Sequence, residues 1–240
     1  MKKLKKIRDA TFFVLFLCPV IILALLFFGT LELLGVIKIH GRKNIPKYKE
    51  GLILATNHPS FYEPMVLGYV FIKYIIKNPI KNFPYSCPDF TNFNKWYWTT
   101  MKERFIFFPR GNKRKCAIAL ARAVRLLKRN RIVIIHPEGG RTSTNKTSEW
   151  HIAENGCRLR PLQPGAIHLA LRTNCHILPG WVKGAEKAMP RGSKLPYFWK
   201  KIEIFLGEPF RLKGEDTKEN LEKGKKIIVE KILALSKKDD

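Results

Sequence analysis

The sequence has few acidic residues and no paired cysteine motif. Its five cysteines are scattered, and no two form a CxxC pair, which argues against a disulfide framework and against a zinc site. Against 45 Lys and Arg there are only 19 Asp and Glu, so the formal net charge is +26. A chain this basic is expected to bind polyanions, which include nucleic acid, an anionic lipid surface and phosphorylated substrates.

Signatures of nucleic-acid recognition are also missing. The chain has no RNP, zinc-finger or helix-turn-helix pattern, and its basic residues are spread along its length rather than clustered on one element. We therefore expect no nucleic-acid partner. A basic, membrane-associated nucleic-acid-binding protein is kept as the alternative of a different class.

The N-terminus carries a long apolar run. From Ala10 to Leu31 there is no charged residue, which meets the roughly 20 residues needed to cross a bilayer. No small-x-small cleavage site follows, so we expect a retained membrane segment in residues 1–39 and a catalytic domain in residues 40–240. Because basic residues flank the run on both sides, a helical hairpin that dips into one leaflet is preferred over a span. Both ends would then lie on the cytoplasmic face, against anionic lipids.

Beyond this run, short apolar segments alternate with amphipathic ones, which predicts an α/β domain, a central mixed sheet flanked by helices. Strands are expected at residues 51–56, 105–108, 131–135, 176–182 and 202–206. Helices are expected at residues 61–71, 113–129, 165–172 and 218–235. Residues 73–98, with three prolines and four asparagines, are expected to be irregular. Polar motifs stand where apolar strands end, the usual place for ligand sites in open α/β sheets.

His58 and Glu63 form the first motif, in the turn after the strand at 51–56 and at the start of the next helix. A neutral imidazole can take a proton from an attacking hydroxyl, and a carboxylate can orient the ring and stabilise the imidazolium. The pattern is weak by itself, since a loop histidine and a helix N-terminal carboxylate favoured by the helix dipole are the more ordinary explanation.

Two further motifs carry arginine at strand ends. In the segment from His136 to Arg141, Gly139 and Gly140 allow backbone N–H groups to approach an anion, and Arg141 offers a forked donor for phosphate. Arg110 follows the apolar run at 105–108. Each motif alone is also compatible with an ordinary basic turn.

Taken in order, these motifs resemble those of the lysophospholipid acyltransferase family, typified by 1-acylglycerol-3-phosphate acyltransferase. The matching segments are Asn57 to Glu63, Phe105 to Arg110, His136 to Thr142 and Ile177 to Trp181. The resemblance implies that His58 is the general base and Glu63 its partner. The residues that it implies for binding the acceptor's phosphate and glycerol, or for shaping that loop, are Arg110, Glu138, Gly139 and Arg141. It also implies an α/β sheet beside an N-terminal two-helix membrane motif.

The activity implied is transfer of a fatty acyl chain from acyl-carrier protein or coenzyme A to a lysophospholipid hydroxyl, without a metal or a tightly held cofactor. Two departures leave the acceptor open. Glu63 stands where the family usually has Asp, and His-x4-Glu also occurs in lipid A acyltransferases. Gly140 replaces a Thr. A lipid A precursor or a lyso-aminolipid is therefore the alternative to 1-acylglycerol-3-phosphate.

Overall fold

The centre of the molecule is a six-stranded mixed β-sheet. The computed structural model describes residues 18–47, 50–88, 103–109, 111–142 and 149–237. The sheet strands are β1 (Ile37–His40), β2 (Leu52–Thr56), β3 (Tyr85–Ser86), β4 (Ile132–Ile135), β7 (His176–Lys183) and β8 (Ile202–Leu206). Their order is β1-β8-β7-β2-β4-β3, and β7 and β8 are the antiparallel neighbours. A separate antiparallel hairpin consists of β5 (His151–Ile152) and β6 (Arg158–Leu159).

Helices cover both faces of the sheet. In chain order they are α1 (Cys18–Leu33), α2 (Glu63–Val70), α3 (Ile72–Lys77), α4 (Pro79–Asn82), α5 (Lys113–Lys128), α6 (Gly165–Thr173), α7 (Ala185–Ala188) and α8 (Lys218–Ser236). Strand residues alternate between two cores because successive side chains point to opposite faces. Leu52 and Leu54 pack with α1, α2 and α7, whereas Ile53 and Ala55 pack with α5, α6 and α8.

Most of the elements expected from the sequence are present, with ends shifted by one or two residues. The strand expected at 105–108 is not. Phe105 makes a single bridge to Ser86, and the segment then continues without ladder pairing. The irregular structure expected at 73–98 is also wrong for its described part, since α3, α4 and β3 lie there. Asn78 caps α4 by accepting a hydrogen bond from Lys81 N, and Pro79 occupies the first helical position, where its missing N–H costs nothing.

The N-terminal apolar run is described from Cys18 onward, and its residues 10–17 lie outside the described part. Residues Cys18–Leu33 form α1, which ends before Gly35 in a left-handed conformation. Within the described residues, none of the helices combines the length and the apolarity needed to cross a bilayer. The hairpin therefore stays a prediction. The domain boundary expected between residues 39 and 40 falls inside β1.

Candidate active site

The C-terminal ends of β2, β4 and β7 meet at one edge of the sheet. All three strands are parallel, with Ala55 level with Ile135 and Thr56 level with Gly180. The side chain of Asn57 joins the end of β2 to β7, because its Oδ1 accepts from Val182 N at 2.7 Å and its Nδ2 donates to Val182 O at 2.9 Å. The parallel pairing of β2 with β4 brings together the loops that follow these two strands.

His58 and Glu63 form a hydrogen-bonded pair through His58 Nδ1 and Glu63 Oε1. The Glu63 side chain is fully buried, and the His58 side chain keeps 14% of its surface exposed. Hydrogen bonds to His58 Nε2 are absent among the residues that the structure describes. With Nδ1 held by the carboxylate, Nε2 is the nitrogen that can take a proton from a substrate hydroxyl.

Ser60 holds the second oxygen of the Glu63 carboxylate. Its backbone N–H donates to Glu63 Oε2 at 3.0 Å, and its hydroxyl donates to the same oxygen at 3.1 Å. The Ser60 hydroxyl also accepts from Tyr62 N at 3.0 Å, which fixes the turn into α2. Glu63 is the first residue of α2, so the helix dipole adds to the stabilisation of its negative charge.

His136 is the residue of the site to which the sequence patterns assigned no role. Its ring stacks on that of His58, with centroids 4.3 Å apart and planes inclined by 11°. His136 Nδ1 lies 3.1 Å from Thr56 Oγ1 and 3.2 Å from the carbonyl oxygen of Asn57. A carbonyl can only accept, so this contact favours the tautomer with hydrogen on Nδ1. The signal available in the sequence was the place of His136 at the end of an apolar strand, in the same motif as Glu138 and Arg141.

Burial sets the protonation of these groups. It lowers the pKa of His58 to about 3, with help from the nearby positive charge of Arg141. It likewise lowers the pKa of His136 to about 4. Burial raises the pKa of Glu63 to about 7, against the hydrogen bonds from Ser60 and the backbone. Both imidazoles are therefore neutral near neutral pH, which is the form a general base needs.

Glu138 joins the two loops and is 2% exposed. Its Oε1 accepts from His58 N at 2.9 Å and from the Thr142 hydroxyl at 2.6 Å. Its Oε2 accepts from Arg160 N at 3.0 Å. Burial raises the pKa of this carboxyl, while these hydrogen bonds oppose the rise. Both oxygens thus hold the backbone in place, and the acceptor-binding role implied by the resemblance stays a prediction.

Arg141 lies at the mouth of the site, with its guanidinium carbon 4.2 Å from the centroid of the Phe61 ring. Its partly exposed side chain supplies the positive charge that acts on the pKa of His58.

Gly139 has a φ of +64°, and a Cβ there would lie 2.8 Å from Gln163 Cγ, so this turn requires glycine. The Gly139 N–H donates to His136 O at 3.0 Å. Arg110 lies outside the described residues.

One group of side chains has the composition of a metal site. His58, Glu63 and His136 each place one ligand atom within 4.8 Å of the other two. Two histidines and a glutamate are a donor set that suits zinc. In this arrangement, however, the pair of His58 and Glu63 is already joined by a hydrogen bond, which a metal would have to replace.

Comparison with known proteins bears on the chemistry of this site. A family model described as Acyltransferase matches residues 36–183. The chain is 25% identical over 179 residues to the 1-acyl-sn-glycerol-3-phosphate acyltransferase of Bacillus subtilis, a match that covers 75% of this chain and 76% of that protein. It is 28% identical over 154 residues to the enzyme of the same name from Borreliella burgdorferi, covering 62% of this chain and 52% of that one.

A chloroplastic 1-acyl-sn-glycerol-3-phosphate acyltransferase of Arabidopsis thaliana is 27% identical over 161 residues, covering 66% of this chain and 39% of that protein. In structure, the chain resembles the crystal structure of the 1-acyl-sn-glycerophosphate (LPA) acyltransferase PlsC from Thermotoga maritima. The TM-score is 0.61 at 19% identity, with 100% of this chain and 99% of that chain covered. This match confirms the expected α/β fold with a central mixed sheet.

Proposed function

The chain belongs to the acyltransferase family, and from this premise we propose that it acylates a lysophospholipid hydroxyl, with 1-acylglycerol-3-phosphate as the favoured acceptor and phosphatidic acid as the product. The observation that carries the proposal is the buried pair of His58 and Glu63, which leaves one imidazole nitrogen for the substrate. The names of the relatives support the choice of acceptor.

The reaction takes place in one transfer step with two proton movements. His58 Nε2 removes the proton from the acceptor hydroxyl as its oxygen attacks the thioester carbonyl carbon. The ester C–O bond forms and the C–S bond breaks, and the leaving thiolate takes the proton from the imidazolium to become a thiol. Glu63 stabilises the transient imidazolium and keeps Nε2 oriented. Positioned bases of this kind contribute about 10²- to 10⁴-fold in rate.

Arg141 supports an acceptor that carries phosphate, because its guanidinium lies beside the site and can bind a phosphate with two parallel hydrogen bonds. Arg110 is proposed as a second phosphate contact on the basis of the sequence motif. Because Glu63 and Gly140 depart from the motif that the sequence resembles, a lipid A precursor or a lyso-aminolipid is the alternative acceptor. A nucleic-acid-binding role is disfavoured, since it would not account for the buried, hydrogen-bonded pair of His58 and Glu63.

We propose a thioester of acyl-carrier protein or coenzyme A as the acyl donor, since both are anionic and the net charge of the chain is +26. We also propose that the protein works against anionic lipids at the cytoplasmic face of a membrane. Exposed apolar side chains support this placement: five on α1, which are Ile22, Leu23, Leu26, Phe27 and Leu33, and Leu34 directly after it. Catalysis through His58 requires neither a metal nor a cofactor.

The decisive test is an assay of the purified full-length protein with both thioester donors and a panel of lysolipids. Products and free thiol are measured by mass spectrometry, with and without EDTA. We expect ester formation on 1-acylglycerol-3-phosphate, with one thiol released per ester, and no effect of EDTA. Loss of activity on chelation, restored by zinc, would replace the general-base mechanism with a metal-dependent one.

A matched pair of variants tests whether His58 is the general base. His58→Ala is expected to lower kcat by about 10²-fold or more. His168→Ala is the control, because His168 also pairs with a carboxylate, that of Asp216, at 2.6 Å, but on α6 rather than at the site. Equal activity of the His58→Ala variant and the unsubstituted protein would refute the proposed base.

A further inference from the structure

The side chain of Tyr62, the residue directly before Glu63, ends in a buried hydroxyl. Tyr62 is 3% exposed. In the described part of the chain, its hydroxyl oxygen has no hydrogen-bond partner. Buried side-chain hydroxyls are usually hydrogen-bonded, because burial removes the bonds that water would make and the loss is costly. An unpaired hydroxyl one residue from the candidate base pair therefore points to a ligand group that it binds.

Tyr69 shows how a structural tyrosine is arranged in the same helix, about two turns further along the chain. Both rings pack against the ring of Phe28, with centroid distances of 6.1 Å for Tyr62 and 6.0 Å for Tyr69. The Tyr69 hydroxyl donates to Glu32 Oε2 at 2.6 Å and so ties α2 to α1. Ring packing is thus alike for the two tyrosines, and a phenylalanine at position 62 would provide it equally well. The hydroxyl of Tyr62 needs a separate explanation.

The Tyr62 hydroxyl is suited to donate to a neutral oxygen. Burial raises the pKa of Tyr62 to about 12, so the group keeps its hydrogen near neutral pH and cannot act as a base. Its aromatic surroundings favour a carbonyl over an anion, which would lose its hydration there. Phe198, whose ring lies 6.1 Å from that of Tyr62, is 39% exposed. An exposed side chain changes rotamer readily, so Phe198 can turn aside to admit a ligand.

The turn after β2 contacts three different groups within five residues. His58 provides the base. Phe61 is half-buried and carries the guanidinium of Arg141 4.2 Å from its ring centroid. Tyr62 provides a hydrogen-bond donor among apolar rings. The acceptor 1-acylglycerol-3-phosphate has three polar groups of matching kinds: a free hydroxyl, a phosphate, and an ester carbonyl at the start of its apolar chain.

We propose that the Tyr62 hydroxyl donates a hydrogen bond to the carbonyl oxygen of the ester that the acceptor already carries, so that Tyr62 determines specificity for acyl-linked over alkyl-linked lysolipids. This rests on the proposed function for the identity of the ligand, but the binding is measurable without any reaction. The thioester of the acyl donor also offers a carbonyl. The acceptor's ester is favoured, because the other two polar groups of the acceptor are assigned to His58 and Arg141, which belong to or contact the same turn.

Binding of an ester and an ether tests the contact directly. Dissociation constants of the full-length protein for 1-octanoyl-glycerol-3-phosphate and 1-O-octyl-glycerol-3-phosphate are measured by calorimetry, below their micelle concentrations and without an acyl donor. The two ligands differ only in the carbonyl. We expect the unsubstituted protein to bind the ester about tenfold more tightly, and Tyr62→Phe to bind both ligands alike. A preference for the ester that is the same in both proteins would overturn the proposal.

Tyr69→Phe is the matched control, since it also removes one buried hydroxyl from a ring that packs on Phe28. It should keep the preference for the ester but unfold at a lower temperature, because the hydrogen bond to Glu32 is lost. Tyr62→Phe should unfold at an unchanged temperature, because the deleted atom bonds nothing among the described residues. A loss of thermal stability as large as that of Tyr69→Phe would show that the Tyr62 hydroxyl serves the fold, and would refute the proposal.

Activity separates this proposal from the proposed function. Tyr62→Phe should raise the KM for the ester acceptor by about tenfold with kcat nearly unchanged, and should not alter the KM for the ether acceptor. Equal losses in kcat on both acceptors would assign the hydroxyl to the thioester and overturn the proposal. If no lysolipid is acylated but the preference for the ester depends on Tyr62, the contact stands and the proposed reaction falls. If acylation is normal and Tyr62→Phe matches the unsubstituted protein on both acceptors, the reaction stands and the contact falls.

Discussion

The rings of His58 and His136 are stacked, with centroids 4.3 Å apart and planes inclined by 11°. The two residues follow different strands, β2 and β4, so this contact exists only because the sheet brings the strand ends together. His136 is fixed by Thr56 and by the carbonyl of Asn57, and His58 is fixed by Glu63. A flat ring held against the base limits its tilt without adding a charge. We therefore interpret His136 as a positioning residue.

Replacement of His136 tests this interpretation. His136→Phe keeps an aromatic ring against His58, whereas His136→Ala leaves a gap into which the base can tilt. We expect kcat of His136→Ala to fall by about tenfold, and that of His136→Phe to fall less. Thermal unfolding of both variants serves as the control for a purely structural effect. A larger loss for His136→Phe than for His136→Ala would show that the polar atoms of His136 matter and the stack does not.

A second prediction concerns pH. Burial raises the pKa of Glu63 to about 7. Below this value the protonated carboxyl donates to His58 Nδ1, so the neutral ring carries its hydrogen on Nε2 and cannot act as a base. Above it the carboxylate accepts from Nδ1–H and Nε2 is free to accept. We therefore expect kcat/KM to rise with pH through an apparent pKa near 7.

Glu63→Gln separates the two titrations. The amide oxygen can still accept from Nδ1–H but cannot titrate, so the rise near pH 7 should disappear. Activity should then be lower by about 10²-fold, and its remaining acid limb should lie at lower pH, because burial lowers the pKa of His58. An acid limb with the same midpoint in both proteins would assign the titration to another group.

Glu138 gives the third prediction. Its two oxygens accept from His58 N, the Thr142 hydroxyl and Arg160 N, so it ties together the loops after β2 and β4. Glu138→Gln replaces one acceptor oxygen by a donor that faces another donor. We expect a loss of about 1–3 kcal/mol in the free energy of unfolding, measured with urea, together with lower activity. A higher KM for the acceptor at unchanged stability would instead support direct substrate binding.

Much of the sheet was predictable because buried parallel strands have apolar sequences. Residues 132–135 illustrate this, since all four are apolar and buried in a strand that pairs in parallel on both sides. The segment 105–108 has the same composition, and Ile106 is fully buried, but the segment bonds the short β3 at one point and forms no ladder. An apolar composition indicates that a segment is buried. Whether the segment also forms a strand depends on a neighbouring strand that is long enough to form a ladder with it.

The pair of His58 and Glu63 was predictable because its members are five residues apart, in the turn after β2 and at the start of α2. The stacking of His136 on His58 and the hydrogen bond from His58 N to Glu138 were not predictable. Each joins residues about 80 positions apart, which come together only through the register of β2 and β4. The short helices α3 and α4 were missed for another reason. Pro79 and the surrounding asparagines are turn residues by composition, and here they begin and cap a helix instead.

The last prediction addresses Arg141 and the class of acceptor. Its guanidinium stacks on the Phe61 ring at 4.2 Å beside the site, an arrangement that lysine reproduces poorly because it lacks both the plane and the fork. Arg141→Lys should raise the KM for 1-acylglycerol-3-phosphate by about tenfold or more, the effect of losing one charged hydrogen bond. For a lyso-aminolipid that lacks phosphate, the same substitution should change KM little. Kinetics with both acceptors, for the unsubstituted protein and the variant, make this comparison. Equal losses on the two acceptors would place Arg141 at the thioester donor or in the fold, and the phosphate assignment would then be withdrawn.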